Sequence, residues 1–385
     1  MTFIPPFDLT HQYQLIGEEI SAAVASVLAS GRYINGPLVK QFEQAFAQYI
    51  GTFHCVACNS GTDALFLALR AAQIGSGDEV ITTPFTFIAT AEVISMVGAT
   101  PVFVDVCADT YNLDLNQIEA AITPKTRAII PVHLFGKPVD MDRLKAIAQA
   151  HNLLLIEDCA QATGAEWNGA KVGSIGDIGC FSFFPTKNLG ACGDGGAVTT
   201  HDPAIARQIE ILREHGQPQR YVHESVGINS RLDAIQAAIL LVKLRYLDQW
   251  NAQRQAIAQR YQTLLQPVPG VMLPQPISGG TCVWNQYTLR LVQPDSSEPP
   301  SDGAIEETSY RDRVRHRLQD KGISSMVYYP IPLHQQPVYA NLNYPPGRLP
   351  IAEQLAREVL SLPMFPELTE EQQQQIVYAL KESLA

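Results

Sequence analysis

Between residues 53 and 158, short apolar runs alternate with stretches of helical periodicity. The runs fall at 53–58, 77–84, 100–105, 126–133 and 153–158. The helical stretches fall at 64–71, 91–97, 115–122 and 140–151. The last run, Leu153-Leu-Leu-Ile-Glu-Asp158, has no polar position before its final pair, so as a strand it needs cover on both faces. Repeated β–α alternation of this kind predicts a largely parallel sheet with helices on both sides. The other elements read as helices at 12–31, 37–49, 205–214, 234–247, 250–265, 309–321, 350–360 and 369–384, with strands at 197–200, 286–292 and 325–329.

The chain has 385 residues, of which 46% are hydrophobic and 17% charged, enough to bury a large core. The Pro/Gly-rich stretch 267–280 marks a change of organisation. The expected division is a large domain over 1–250, including the N-terminal helices, and a smaller one over 251–385. A polar stretch at 294–303 reads as a mobile surface loop. The net charge is -11, which argues against a nucleic-acid surface, where phosphates demand clustered Lys and Arg. Arg311, Arg313, Arg315 and Arg317 read instead as one solvated helix face. No basic leader precedes an apolar segment and no apolar run approaches about 20 residues, so a cytoplasmic protein with no membrane partner is expected. The seven cysteines are an odd number in a long chain, which speaks against a disulfide framework. Cys55 and Cys58 have zinc-knuckle spacing but no matching second pair, and read as structural thiols; no metal is expected.

Several residues sit where an α/β sheet places ligands, at or just beyond strand ends. Ser60-Gly61-Thr62 opens a helix and could cradle a phosphate through free N–H groups and hydroxyls, or could be an ordinary cap. Phe87 follows a strand end and could stack on a ring or belong to the core. Glu157 and Asp158 end the apolar strand; one buried, partnered carboxylate and one exposed carboxylate are expected. In Cys180-Phe-Ser-Phe-Phe-Pro-Thr-Lys187, a β-prone run ends in a tight loop with a single lysine. Lys187 alone reads as a solvated loop lysine, as most are, but a partly buried amine there also suits a Schiff base. Asn229 and Arg231 precede an apolar helix and could cap it or reach a phosphate.

Together these residues supply what pyridoxal phosphate (PLP) requires: an amine for the aldehyde, a carboxylate for the pyridinium nitrogen, a stacking aromatic and a phosphate cradle. The motifs Asn59-Ser-Gly-Thr-Asp-Ala-Leu65, Pro84-Phe-Thr-Phe-Ile-Ala-Thr90, Ile156-Glu-Asp-Cys-Ala-Gln161, Ser182-Phe-Phe-Pro-Thr-Lys187-Asn-Leu, Gly193-Asp-Gly-Gly196, Gly227-Ile-Asn-Ser-Arg-Leu-Asp233 and Tyr329-Pro-Ile-Pro-Leu-His334 occur in that order. Over nearly its whole length the chain resembles the DegT/StrS family of PLP-dependent sugar-nucleotide aminotransferases.

The resemblance implies the α/β architecture of PLP-dependent transferase fold type I, the aspartate aminotransferase-like fold: a large domain with a mostly parallel mixed sheet between helices, and a smaller α+β C-terminal domain. It implies a cofactor alternating between PLP and pyridoxamine phosphate (PMP). Lys187 is to form the Schiff base and carry the proton, and Asp158 to pair with the ring nitrogen. Gln161 is to lie near the ring hydroxyl, Phe87 against the ring, and Gly61, Thr62 and Ser182 on the phosphate. Asn229 is to reach the cofactor of a second subunit, which makes the site one shared across a homodimer. Tyr221, Arg231 and His334 are to lie near the sugar nucleotide. Related dehydratases carry histidine at the lysine position, so Lys187 implies transamination. The segments around Tyr221, Asn229 and His334 are most similar to enzymes aminating C3 of UDP-linked 2-acetamido-3-oxo sugars or their uronates with L-glutamate, for surface-polysaccharide synthesis. Action on dTDP-linked 3- or 4-oxo sugars is the alternative, and a PLP-binding regulator a distant one.

Overall fold

A computed structural model describes residues 3–293 and 309–384. The loop expected at 294–303 lies outside the described residues. Seven strands form the central sheet: β1 (His54–Cys58), β2 (Glu79–Thr82), β3 (Thr100–Phe103), β4 (Thr126–Ile130), β5 (Leu154–Asp158), β6 (Ile178–Ser182) and β7 (Gly196–Thr200). Their order is β1-β7-β6-β5-β4-β2-β3. β7 runs antiparallel to both of its neighbours, and every other pairing is parallel. The predicted parallel sheet is therefore mixed by one reversed strand.

The strands alternate two apolar faces, as the period of two requires. Ile130, Ile156, Cys180 and Val198 meet Leu65, Leu67 and Leu69 of the helix Gly61–Ala71. Ile81, Ile129 and Leu155 face the opposite way, onto Leu144 and Ile147 of the helix Met141–Ala150. Further along that side, Phe181 and Phe183 pack edge-on against Phe46 of the helix Pro37–Ile50. The predicted helix at 115–122 is only one turn, Ile118–Ala121.

A second sheet joins Val271–Met272, Tyr287–Leu291 and Val359–Leu362. Its core includes Tyr261, Tyr287, Val314, Leu318, Ile376 and Leu380. The helix Leu247–Leu265 links the two regions, since Leu247 belongs to the central-sheet core and Ile257, Tyr261 and Leu265 to the second. Ile4 also packs in the second core, its N–H donating to the Gly322 carbonyl at 2.9 Å. The strand predicted at 325–329 is reduced to one bridge, Met326 to Ser361. The basic run at 311–317 is not a wholly solvated face either. Arg311 is buried, paired with Asp312, and its Nη1 donates to the Ala356 and Val359 carbonyls. Those carbonyls end a helix whose last groups have no intrahelical donor.

Candidate active site

The carboxyl ends of β1, β5 and β6 lie along one edge of the sheet. Gly196, the first residue of the reversed strand, pairs with both Cys58 and Ser182. The turn after β1 opens the helix Gly61–Ala71, whose cap is Ser60: its Oγ accepts the Asp63 N–H at 3.1 Å. Gly61 and Thr62 then present N–H groups at the positive end of the helix dipole with no partner among the described residues. A Cβ on Gly61 would fall 2.6 Å from the Cβ of Ser182, so only glycine lets this helix end and Ser182 close together. The result is a concave set of two amides and hydroxyls that suits a phosphate dianion.

Asp158 ends β5 and is buried. Its Oδ1 accepts the Ala160 N–H at 3.1 Å and its Oδ2 accepts the Thr90 hydroxyl at 2.8 Å. Among the described residues no cation pairs with it. Burial raises its pKa, and the Ala160 and Thr90 hydrogen bonds and the Lys187 charge only partly offset that. A buried carboxylate in this state calls for a cationic donor such as a protonated pyridine nitrogen.

Glu157 is the surprise of the pair, because it is buried as well. The expected split into one buried and one exposed acid fails for a local reason. The chain folds back over β5 at 173–176, so Glu157 collects the N–H groups of Gly173, Ile175 and Gly176 at 2.9, 2.9 and 2.7 Å. His133 Nδ1 accepts the Val139 N–H, so its Nε2 carries the proton and donates to Glu157 at 3.0 Å. His133, Glu157 and Cys159 are near enough to share a metal ion, but the lone pairs of the imidazole and carboxylate are already engaged, and burial raises the Cys159 thiol pKa. Glu157 braces the sheet edge, and Asp158 faces the site.

Lys187 lies on a loop pinned from both sides. Its N–H donates to Phe184 O at 2.8 Å, and Phe183 exchanges bonds with Gly195 and Ala191. Next to it, Asn188 Nδ2 donates to Asn251 Oδ1 at 2.7 Å and to Val283 O at 2.9 Å, and its Oδ1 accepts from Asn285 Nδ2 at 2.8 Å. Lys243 Nζ closes the loop from below by donating to Gly190 O at 2.8 Å. Asn251, Asn285 and Lys243 went unread in the sequence, because isolated amides and lysines give no local signal, and Asn188 stood in the Lys187 motif without a role. Partial burial pulls the Lys187 pKa down to about 8, with Asp158 pulling the other way. This amine is therefore far easier to deprotonate than a solvated one.

Of the other expected residues, Gln161 is buried and used at both ends: Oε1 accepts the Phe135 N–H at 2.7 Å and Nε2 donates to Tyr329 OH at 3.1 Å. Phe87 is 57% exposed, with its ring centroid 6.5 Å from that of Tyr329. Phe85, two residues earlier, is the core residue. Tyr221 is 78% exposed and its hydrogen bonds stay within its own loop, to Gln217 and Arg220. Asn229 is exposed, next to a buried Ser230 whose Oγ donates to Asn59 Oδ1 at 3.2 Å. Arg231 pairs with Glu214 at 3.3 Å. His334 is buried, with Nε2 3.2 Å from Glu353 Oε1 and Nδ1 unpartnered.

This architecture, with a partly buried lysine and a cation-less carboxylate on one sheet edge, is that of a PLP-dependent transferase of fold type I. The chain belongs to the DegT/DnrJ/EryC1/StrS aminotransferase family, whose model matches residues 14–381. It is 48% identical to the pleiotropic regulatory protein of Geobacillus stearothermophilus, covering 98% of both chains. It is 47% identical to the UDP-N-acetyl-3-dehydro-α-D-glucosamine 3-aminotransferase of Acidithiobacillus ferrooxidans, covering 100% of this chain and 98% of the other. It is 45% identical to the dTDP-3-amino-3,4,6-trideoxy-α-D-glucose transaminase of Streptomyces venezuelae, over 98% and 96%. The crystal structure of Streptomyces venezuelae DesV superposes with a TM-score of 0.93 at 44% identity, covering 100% of this chain and 99% of that one. The protein is a PLP-dependent sugar aminotransferase. The residues present fit the cofactor: the close approach of Gly61 and Ser182 leaves a concave set of donors suited to a phosphate, and among the described residues no cation is paired with Asp158.

Proposed function

We propose that this enzyme transfers the amino group of L-glutamate to C3 of a UDP-linked 2-acetamido-2-deoxy-3-oxo sugar or its uronate, in the synthesis of a surface polysaccharide. The observation that carries aminotransfer is the placing of Lys187, whose pKa burial pulls down to about 8, near Asp158, a buried carboxylate whose charge acts the other way. The similarity to the UDP-3-oxo-sugar aminotransferase supports the acceptor. The similarity to the dTDP-sugar transaminase favours a second reading, a dTDP-linked 3-oxo or 4-oxo acceptor.

Bound PLP supplies an aldehyde that takes up the amino group and a pyridinium ring that withdraws electrons from the donor Cα. The chain does the rest. The N–H groups of Gly61 and Thr62 and the Ser182 hydroxyl hold the phosphate. Phe87 covers one ring face, and Gln161 fixes Tyr329 beside it. Asp158 keeps the proton on the ring nitrogen. Lys187 Nζ, as a free amine, would take the proton from the donor Cα and return one to the acceptor carbon. Tyr221, Arg231 and His334 bind the sugar nucleotide.

Two copies complete the site, with Asn229 of the partner subunit reaching the phosphate. Exposed Leu15 and Leu28 on the helix Thr10–Ser30, with exposed Tyr33, Ile34 and Val226, supply apolar area for such a contact. Sedimentation velocity reads this directly, and a monomer at micromolar concentration refutes it.

The acceptor is tested by converting the enzyme to its PMP form with glutamate and offering UDP- and dTDP-linked 3-oxo and 4-oxo sugars. Return of the PLP absorbance with the UDP-linked 3-oxo sugars alone is the expected result. Return only with dTDP sugars overturns the UDP assignment. No return with any sugar, and binding of a DNA operator instead, would favour a regulatory role.

A further inference from the structure

Asp158 is held by the hydroxyl of Thr90, which closes the motif Pro84–Thr90 and to which the sequence assigned no role. Thr90 Oγ1 donates to Asp158 Oδ2 at 2.8 Å across 68 positions of chain. Thr86 Oγ1 lies 3.2 Å from Thr90 Oγ1. A hydroxyl has one proton, and that of Thr90 is committed to the carboxylate, so Thr86 must be the donor to Thr90. The result is a directed chain from Thr86 to Thr90 to Asp158, with all three residues buried.

The location is informative. Thr90 is the second residue of the helix Ala89–Met96. A threonine in a helix ordinarily turns its hydroxyl to solvent or back to a carbonyl of the preceding turn. Here it turns to a side chain at the end of β5. The same short segment carries Phe87, the exposed ring, one residue after Thr86. One turn of backbone therefore sets both the aromatic and the hydroxyl anchored to the carboxylate. The Ala160 N–H fixes Oδ1 and Thr90 fixes Oδ2, so the carboxylate plane cannot rotate without losing a bond.

We propose that Thr90, seconded by Thr86, is a positioning residue that fixes the Asp158 carboxylate, in its ionised form, in register with the ring face covered by Phe87. This rests on reading Asp158 as the partner of the ring nitrogen. Without the Thr90 donor the carboxylate is freer to rotate and binds a proton more readily, so less of the shared proton resides on the ring nitrogen.

The test compares Thr90→Val, Thr90→Ser, Thr86→Val and Asp158→Asn with the wild-type holoenzyme. PLP affinity is measured by equilibrium dialysis, and the ring proton by the nitrogen NMR shift of bound ¹⁵N-PLP. Thr90→Val is expected to weaken PLP binding on the order of tenfold, as for losing a hydrogen bond to a charged group. Its ¹⁵N signal should move towards the unprotonated value. Thr90→Ser should restore both quantities, and Thr86→Val should move both the same way by less. If Thr90→Val matches wild type in both while Asp158→Asn alters both, the proposal for Thr90 is wrong. If Asp158→Asn alters neither, the reading of Asp158 itself fails. Should Thr90→Val not fold, Thr90→Ala and Thr86→Val replace it, and unchanged ¹⁵N shifts in both overturn the proposal.

Discussion

A Cβ placed on Gly61 falls 2.6 Å from Ser182 Cβ, a separation that real side chains do not reach. Two segments 121 positions apart in sequence are therefore interlocked at the start of one helix. The first prediction follows. Gly61→Ala should weaken PLP binding by about tenfold or more and destabilise the apoenzyme by about 1–3 kcal/mol, the usual cost of overpacking. Equilibrium dialysis and urea unfolding measure the two. Wild-type PLP affinity in the variant would remove the cradle from its role.

Lys187 contributes a defined step to the pH response of the apoenzyme. Its amine has an ordinary pKa of 10.5 and a folded value of about 8, because burial penalises the ammonium. Capture of PLP by the apoenzyme should therefore quicken as pH rises through about 8. The sign for stability is the same. Between pH 8 and 10.5 the unfolded chain holds a proton on this group that the folded chain does not, so this group's contribution to apoenzyme stability rises with pH there. The difference in unfolding free energy between wild type and Lys187→Met, followed over that range, isolates the effect. A flat difference would place Lys187 in solvent.

Asp158→Asn should fold as well as wild type, since it removes a buried charge without a cation partner among the described residues. Both half-reactions should slow on the order of a hundredfold, the scale of losing one preorganised electrostatic partner. Lys187→Ala should abolish turnover and the absorption band of lysine-bound PLP. Stopped-flow absorbance with glutamate separates the two variants, and unaltered half-reactions in Asp158→Asn would end its assignment.

Asn188→Ala strips three bonds from the lysine loop and leaves buried partners on Asn251, Val283 and Asn285. The expected cost is about 2–4 kcal/mol by urea unfolding, from unsatisfied buried groups. Turnover should fall with little change in the KM for glutamate, because Lys187 loses its fixed position rather than its chemistry. A full-rate variant would show that Lys187 is held by the turn at 184–187 alone.

Much of the site was legible because its signals are local. A lysine after a β-prone run, a Ser-Gly-Thr helix start and carboxylates ending an apolar strand each fit within a few residues. What misled the reading was also local reasoning. The arginines at 311–317 look like a solvated face, yet Arg311 is drawn inward by the carbonyls that end the helix Pro350–Glu358.

The sequence by itself determined the sheet of buried strands, the lysine loop at the end of β6 and the carboxylates at the end of β5. Periodicity and turn chemistry are written along the chain, and the family motifs carry the cofactor with them. Only the tertiary structure decided that both of two adjacent acids are buried, and which donors each one takes. Glu157 is claimed by three amides and His133, and Asp158 is left to Thr90 and one amide. The physical reason is register. Neighbouring side chains on a strand point to opposite faces, and the donors that satisfy each arrive from segments whose positions are set by how the strands pair.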